Sequence, residues 1–207
     1  ATHELFVELV GFALRNRILL CNDNPYSFIL NSDHLSILSV PGARASALEL
    51  NSLSKSHNMA GWRIGMLAGH KRYIDDVLRV KSNMDSGMFK PLQEAAAKAL
   101  SAPDEWYARL NEVYNRRRRY AEALMDELGC SFSPSQSGLF LWGRIPGRYS
   151  NAEELTEELL QRNHLFVTPG SVFGDNGRSH IRISLCAEEE IMKKALRRIK
   201  TGVQTTN

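Results

Sequence analysis

The chain has 207 residues, enough for one large domain or two small ones. Its make-up, 43% hydrophobic and 24% charged, is that of a globular protein, and a net charge of +3 is too small and dispersed to argue for nucleic acid. No apolar run approaches the roughly eighteen residues of a membrane helix, and Ala1-Thr2-His3-Glu4-Leu5 has neither the basic segment nor the cleavage pattern of a signal peptide.

Cys21, Cys130 and Cys186 are far apart and odd in number. That argues against a disulfide framework and against a zinc site, and it suits a reducing cytoplasm.

Residues 2–16 read as a helix. Thr2 can cap it, and Leu5, Phe6, Leu9, Val10 and Ala13 repeat at helical spacing. The apolar run Arg17–Cys21 reads as a buried parallel strand. Asn22-Asp23-Asn24-Pro25-Tyr26 is a turn sequence at its carboxyl end, the edge where open α/β sheets bind ligands. A polar connection over 27–46 leads to a strand at Ala47–Asn51. A further strand follows at Arg63–Gly69, and helices at 71–81 and 91–101. Pro91 suits a first helical turn, and Ser82–Gly87 is a loop between the two helices.

Pro103 and Asp104 open the longest helical pattern, which Gly129 stops. Leu110, Val113, Tyr114, Ala121, Leu124 and Leu128 mark its buried face. The run Arg116–Arg119 points four ways on a helix, so its members are expected to be solvated or paired, not a nucleic-acid surface. Beyond Gly129, short strands at 131–133, 138–143, 165–168 and 180–185 alternate with helices at 151–162 and 187–200. Thr201–Asn207 is expected to fray. This division predicts a cofactor-binding part over 1–102. The long helix and a smaller α+β unit take 103–207.

The chemistry gathers around Ser52-Leu53-Ser54-Lys55-Ser56-His57-Asn58-Met59-Ala60-Gly61-Trp62-Arg63-Ile64-Gly65. Most lysines are surface residues. Lys55, however, follows a predicted strand and stands among hydroxyls. A lysine desolvated near other cations can form an imine with an aldehyde cofactor. Pyridoxal phosphate would then need hydroxyls and an arginine for its phosphate, which Ser52 and Arg63 can supply. Its pyridine nitrogen would need a carboxylate, and its phenolic oxygen a donor. Asp23 and Tyr26 can supply these.

In these motifs the sequence resembles the class I/II aminotransferases, pyridoxal-phosphate enzymes of fold type I. The resemblance rests on Asp23-Asn24-Pro25-Tyr26, Ser52-Leu53-Ser54-Lys55, Met59–Gly65 and Pro169-Gly170-Ser171-Val172-Phe173-Gly174 before His180-Ile181-Arg182-Ile183-Ser184, in the family's order. It implies an α/β fold: part of a large domain with a mostly parallel sheet, plus the smaller C-terminal α+β domain. It implies Lys55 as Schiff-base lysine and general base, Asp23 on the pyridinium nitrogen and Tyr26 on the phenolic oxygen. It also implies Ser52 and Arg63 on the phosphate, with Ser54 a further candidate, and Arg182 on the substrate's α-carboxylate. Amino acid and 2-oxo acid substrates, a homodimer and a cytoplasmic enzyme are implied too. So is a similarity to LL-diaminopimelate aminotransferases, through Lys55–Arg63 and Val80–Phe89.

The family's chains are roughly twice this length, so the turn that cradles the phosphate and an aromatic that stacks on the ring are expected in a preceding half. Ala1 is no initiating methionine, which favours a piece of a longer enzyme, and as a lone polypeptide it is expected to catalyse little. A lyase or decarboxylase of the same fold shares Lys55 and Asp23 and stays open. So does an inactive or regulatory fragment.

Overall fold

Helix α1 (His3–Asn16) opens the chain as Thr2 foretells: the Thr2 hydroxyl accepts the Leu5 amide at 3.3 Å, and Phe6, Val10 and Ala13 form its buried stripe. In this computed structural model residues 1–201 are described; of the stretch expected to fray, Thr201 ends the last helix and 202–207 lie outside the described residues. The chain divides into two units, Ala1–Tyr107 and a second that begins at Ala108.

In the first unit, β1 (Leu20–Asp23) pairs in parallel with β2 (Ala47–Ser52), with Asp23 opposite Leu50. β3 (Gly65–Gly69) pairs antiparallel with β2, with Gly65 opposite Ser52. This three-stranded part of the sheet thus holds one parallel and one antiparallel pair. The link between β2 and β3 holds only one turn of α-helix, α2 (Leu53–Ser56), and one 3-10 turn. That is too little to carry the chain back over the sheet, so β3 returns antiparallel. β1 corrects the expectation of a buried strand at 17–21. It is an edge strand of a three-stranded sheet, its residues alternate between half-buried and exposed, and Ile18 and Leu19 before it are exposed.

The segment 27–46 is less polar than its composition suggests. It forms two 3-10 turns, Ile37–Ser39 and Ala43–Ala45. Ile37, Val40 and Ala43 pack with Phe6, Val10 and Ala47 into one core. A second core joins Leu53, Met59, Ile64 and Ala96. Helices α3 (Lys71–Met84) and α4 (Lys90–Leu100) follow, with Pro91 in the first turn of α4. α3 runs three residues past its expected end into the predicted loop.

Helix α5 (Asp104–Leu128) holds the division between the units after its first turn. Tyr114, Ala121, Leu124, Met125 and Leu128 are its buried residues, while Leu110 and Val113 are half-buried. Gly129 ends it with a left-handed φ of 72°.

The second unit is an antiparallel sheet in the order β4-β5-β7-β6, from β4 (Ser131–Phe132), β5 (Phe140–Arg144), β6 (Thr168–Pro169) and β7 (His180–Ser184). Helices α6 (Ala152–Asn163) and α7 (Glu189–Thr201) complete it. A Cβ on Gly143 would come within 2.7 Å of Met125 Sδ, so β5 lies directly on α5. The arginine run is internally bonded. Arg116 pairs with Glu112 and Glu189, Arg117 reaches the Leu185 carbonyl, and Arg118 holds Glu122 and the carbonyls of Pro134 and Gln136.

Candidate active site

The carboxyl edge of the β1–β2 pair gathers six of the seven residues singled out in the sequence. Asp23 is the last residue of β1, and the chain then turns through Pro25–Phe28. The Asn24 amide donates to the Leu50 carbonyl at 2.9 Å, which fixes this turn beside the end of β2. β2 ends at Ser52, whose hydroxyl caps α2 by accepting the Ser54 amide at 3.2 Å. Lys55 stands inside that single turn. The Leu53 amide donates to the Ile64 carbonyl at 3.3 Å and brings residues 60–64 to the same edge. Arg63 adopts a left-handed φ of 52° at the end of the 3-10 turn, two residues before β3 begins. At Gly65 a side chain is excluded, because a Cβ would lie 2.6 Å from the Asn51 carbonyl oxygen.

Within this edge, Lys55 Nζ lies 6.0 Å from the centre of the Tyr26 ring, and both residues are half-buried. Among the described residues the Lys55 ammonium makes no hydrogen bond or ion pair, and neither does the exposed Asp23 carboxylate. The Arg63 guanidinium is exposed and donates to the Ala60 carbonyl at 2.9 Å. The Ser52 hydroxyl, having accepted one bond, keeps its own proton to give.

Arg182 belongs to the second unit. It alternates with the buried Ile181 and Ile183 in β7, so it faces away from them. Its guanidinium carbon lies 4.2 Å from the Phe140 ring centre and 4.4 Å from that of Phe173. Its Nε is buried and has no hydrogen-bond partner among the described residues. A guanidinium flanked by two rings and short of an acceptor is ready for an anion.

These features bring the known proteins to bear. The family model described as aminotransferase class I and II matches residues 1–199. The chain belongs to the class I and II aminotransferases. The family, and solved structures similar to this chain, are pyridoxal-phosphate-dependent enzymes of fold type I. The LL-diaminopimelate aminotransferase of Natranaerobius thermophilus is 36% identical over 201 residues, covering 96% of this chain and 52% of that protein. The enzyme of the same name from Gloeobacter violaceus is 37% identical over 204 residues, 98% of this chain and 52% of that one. Among solved structures, apo-BacF from Bacillus subtilis superposes with a TM-score of 0.88 at 31% identity, over 97% of this chain and 51% of its own. A probable N-succinyldiaminopimelate aminotransferase from Thermus thermophilus gives 0.85 at 30% identity, over 97% and 54%. The chain thus spans about half the length of the curated relatives it matches.

Two polar residues of this aminotransferase chain escape sequence reasoning. Glu49 is buried in β2, and its Oε2 accepts from Ser36 Oγ at 2.7 Å, the Ile37 amide at 2.9 Å and Asn22 Nδ2 at 3.3 Å. His57 is buried two residues past Lys55, between Ser56 Oγ at 2.8 Å and the Tyr107 hydroxyl at 3.1 Å. Desolvation holds the His57 imidazole below its ordinary pKa, with the Ala99 backbone opposing. Desolvation also pushes the Tyr107 phenol up, helped by the Asp104 carboxylate. Apart from adjacent Ser56, the partners of Glu49 and His57 are distant in sequence, so no local pattern announces either.

Proposed function

We propose that the protein to which this chain contributes is an aminotransferase that moves an amino group between an amino acid and a 2-oxo acid. Lys55 is its covalent attachment point for pyridoxal phosphate. The observation that carries this reading is the gathering of Asp23, Tyr26, Ser52, Ser54, Lys55 and Arg63 at one sheet edge, with Lys55 and Asp23 left without polar partners among the described residues. The residues fit the cofactor: an unpaired amine, an unpaired carboxylate, a phenol, hydroxyl donors and a guanidinium with open donors. When bound, the cofactor supplies an electron sink for the bond broken at the substrate's α-carbon.

The chain's own residues do the rest. Lys55 Nζ would hold the cofactor's aldehyde carbon until the substrate's own amino group displaces it; the amine so freed would take and return the proton at the substrate's α-carbon. Asp23 keeps the pyridine nitrogen protonated. Tyr26 gives a hydrogen bond to the phenolic oxygen. Ser52 and Arg63 hold the phosphate, with Ser54 as a further donor, and Arg182 grips the substrate's α-carboxylate through its fork of N–H groups.

The relatives' names make LL-diaminopimelate the first amino acid to test. A homodimer and a cytoplasmic setting go with this reading. The exposed Val80, Met84 and Phe89 support an apolar interface, and the free thiols support a reducing compartment.

The test is absorbance on adding pyridoxal phosphate. A band at about 420 nm that Lys55→Ala abolishes supports the reading; an unchanged spectrum in Lys55→Ala refutes it. Product analysis with an amino acid and 2-oxoglutarate then separates transfer from elimination or decarboxylation.

A further inference from the structure

His57 sits at the centre of a small buried network that neither its position in the sequence nor the cofactor contacts account for. The residue is only 7% exposed. Its Nδ1 lies 2.8 Å from Ser56 Oγ and its Nε2 3.1 Å from the Tyr107 hydroxyl. Trp106 Nε1 donates to the Ser56 carbonyl at 2.8 Å. The first turn of α5 thus fastens the end of α2 twice. The Tyr107 ring meets His57 edge-on at 5.6 Å and stacks on Phe28 at 5.0 Å. Phe28 ends the turn that carries Tyr26. One phenol therefore touches both turns of the candidate site, that of Lys55 and that of Tyr26. Phe28, Ser52, His57 and Tyr107 also line a cavity of about 320 Å³.

We propose that Tyr107 and His57 are positioning residues for Lys55, holding the α2 turn against the Tyr26 turn and governing how readily Lys55 reacts with an aldehyde. The proposal rests on the reading of Lys55 given above. Neither side chain reaches the reacting atoms in it; both act through the backbone turn they hold.

The working form is the neutral imidazole. A neutral ring donates through one nitrogen and accepts through the other; the Ser56 and Tyr107 hydroxyls can take either role, and the Ala99 backbone is a further polar neighbour. Protonation would set a buried charge on the turn that already carries the Lys55 ammonium, where desolvation and like charge both oppose it. The groups facing the imidazole are few. α5 offers the Tyr107 phenol, kept protonated by burial and by Asp104 nearby, and α4 offers the Ala99 backbone. β2 brings Glu49 to the same cavity, with its Oε2 already engaged by Ser36, Ile37 and Asn22. α2 itself contributes Lys55.

The test uses pyridoxal 5'-phosphate as probe on the whole chain. The lysine nitrogen bonds to the aldehyde carbon with loss of water, borohydride delivers hydride to the new double bond, and tryptic mass spectrometry locates the secondary amine. Rates at Lys55 are read as a ratio to exposed Lys98 across pH, which cancels the acid dependence common to all amines. The expected result is a Lys55/Lys98 ratio well above one that falls in acid. Its midpoint should match the His57 titration followed by imidazole NMR. Tyr107→Phe keeps the ring contacts and should lower the ratio about fivefold, the worth of one neutral hydrogen bond. His57→Gln keeps a donor and an acceptor, so it should hold the ratio near neutral pH and lose the acid step. Thermal melts confirm that both variants fold. Modification at Lys55 with the ratio and acid profile unchanged in both variants overturns the positioning role and leaves Lys55 as the cofactor lysine. A ratio of one in the parent chain at every pH overturns both.

Discussion

Replacing Glu49 by Ala and by Gln should give very different losses. All three of its hydrogen bonds converge on Oε2, from Ser36 Oγ, the Ile37 amide and Asn22 Nδ2. Two are short and charge-assisted, and a bond of that kind is worth about 1.5–3 kcal/mol. In Glu49→Ala the Ile37 amide is left buried without an acceptor, while half-buried Ser36 can turn to water. The expected cost is about 3 kcal/mol. Glu49→Gln can present its carbonyl oxygen to the same three donors and loses only the charge, at about 1 kcal/mol. Two assays read this. Urea unfolding should show a midpoint about 1.5 M lower for Ala, taking a slope of ~2 kcal/mol per molar. Exchange of the Ile37 amide should quicken about a hundredfold in Ala and by under tenfold in Gln. Equal effects of the two substitutions would show that Glu49 fills space and does not organise the 27–46 segment by hydrogen bonding.

Gly177→Ala would place a Cβ 1.9 Å from the Gly170 carbonyl oxygen. Backbone cannot yield as a side-chain tip does, so a loss of about 3 kcal/mol is expected in the second unit; a melt within a degree of the parent refutes the close approach. Burial pushes the Cys130 thiol up to about 11, so about one molecule in a thousand is thiolate at pH 8. Iodoacetamide at that pH should label exposed Cys21 and Cys186 and spare Cys130; equal labelling refutes it. His57 has its folded pKa depressed by desolvation. Its contribution is therefore fully present above the unfolded value of about 6.5 and is lost as pH falls through the folded value. His57→Phe should flatten this acid limb of stability in melts from pH 7 to 5, and a limb of unchanged slope refutes the assignment.

Elements whose signals lie within a few residues were legible in the sequence. Thr2 capping α1, Pro91 in the first turn of α4 and Gly129 ending α5 each act on the next turn of backbone, so composition announces them. Features set by distant partners were not. The segment 27–46 reads as polar because Ile29, Ile37, Val40 and Ala43 are scattered with neither helical nor strand period, yet all four are buried. The strand read at 17–21 lies a few residues later and alternates, because among the described residues one of its faces is left uncovered. Tyr107 meets His57 across fifty positions of sequence, and no window of local pattern spans that.

Some polar residues of this chain are used up inside the fold, and Lys55, Asp23 and Arg182 are not. Glu49, His57 and Arg118 are each enclosed, and each uses its polar atoms on partners inside its own unit. Burying them without such partners would cost more than any packing they add. Among the described residues, Lys55 and Asp23 stand at the sheet edge with no polar partner, and Arg182 leaves a buried Nε unmatched between two rings. Their charges are the ones the cofactor and substrate would complete: an amine for an aldehyde, a carboxylate for a ring nitrogen and a guanidinium for a carboxylate. The internal network and the unpaired edge are also adjacent, since Ser56 and His57 immediately follow Lys55. Rigidity contributed by the satisfied residues is therefore delivered at the unsatisfied ones, where reactive geometry is most sensitive to position.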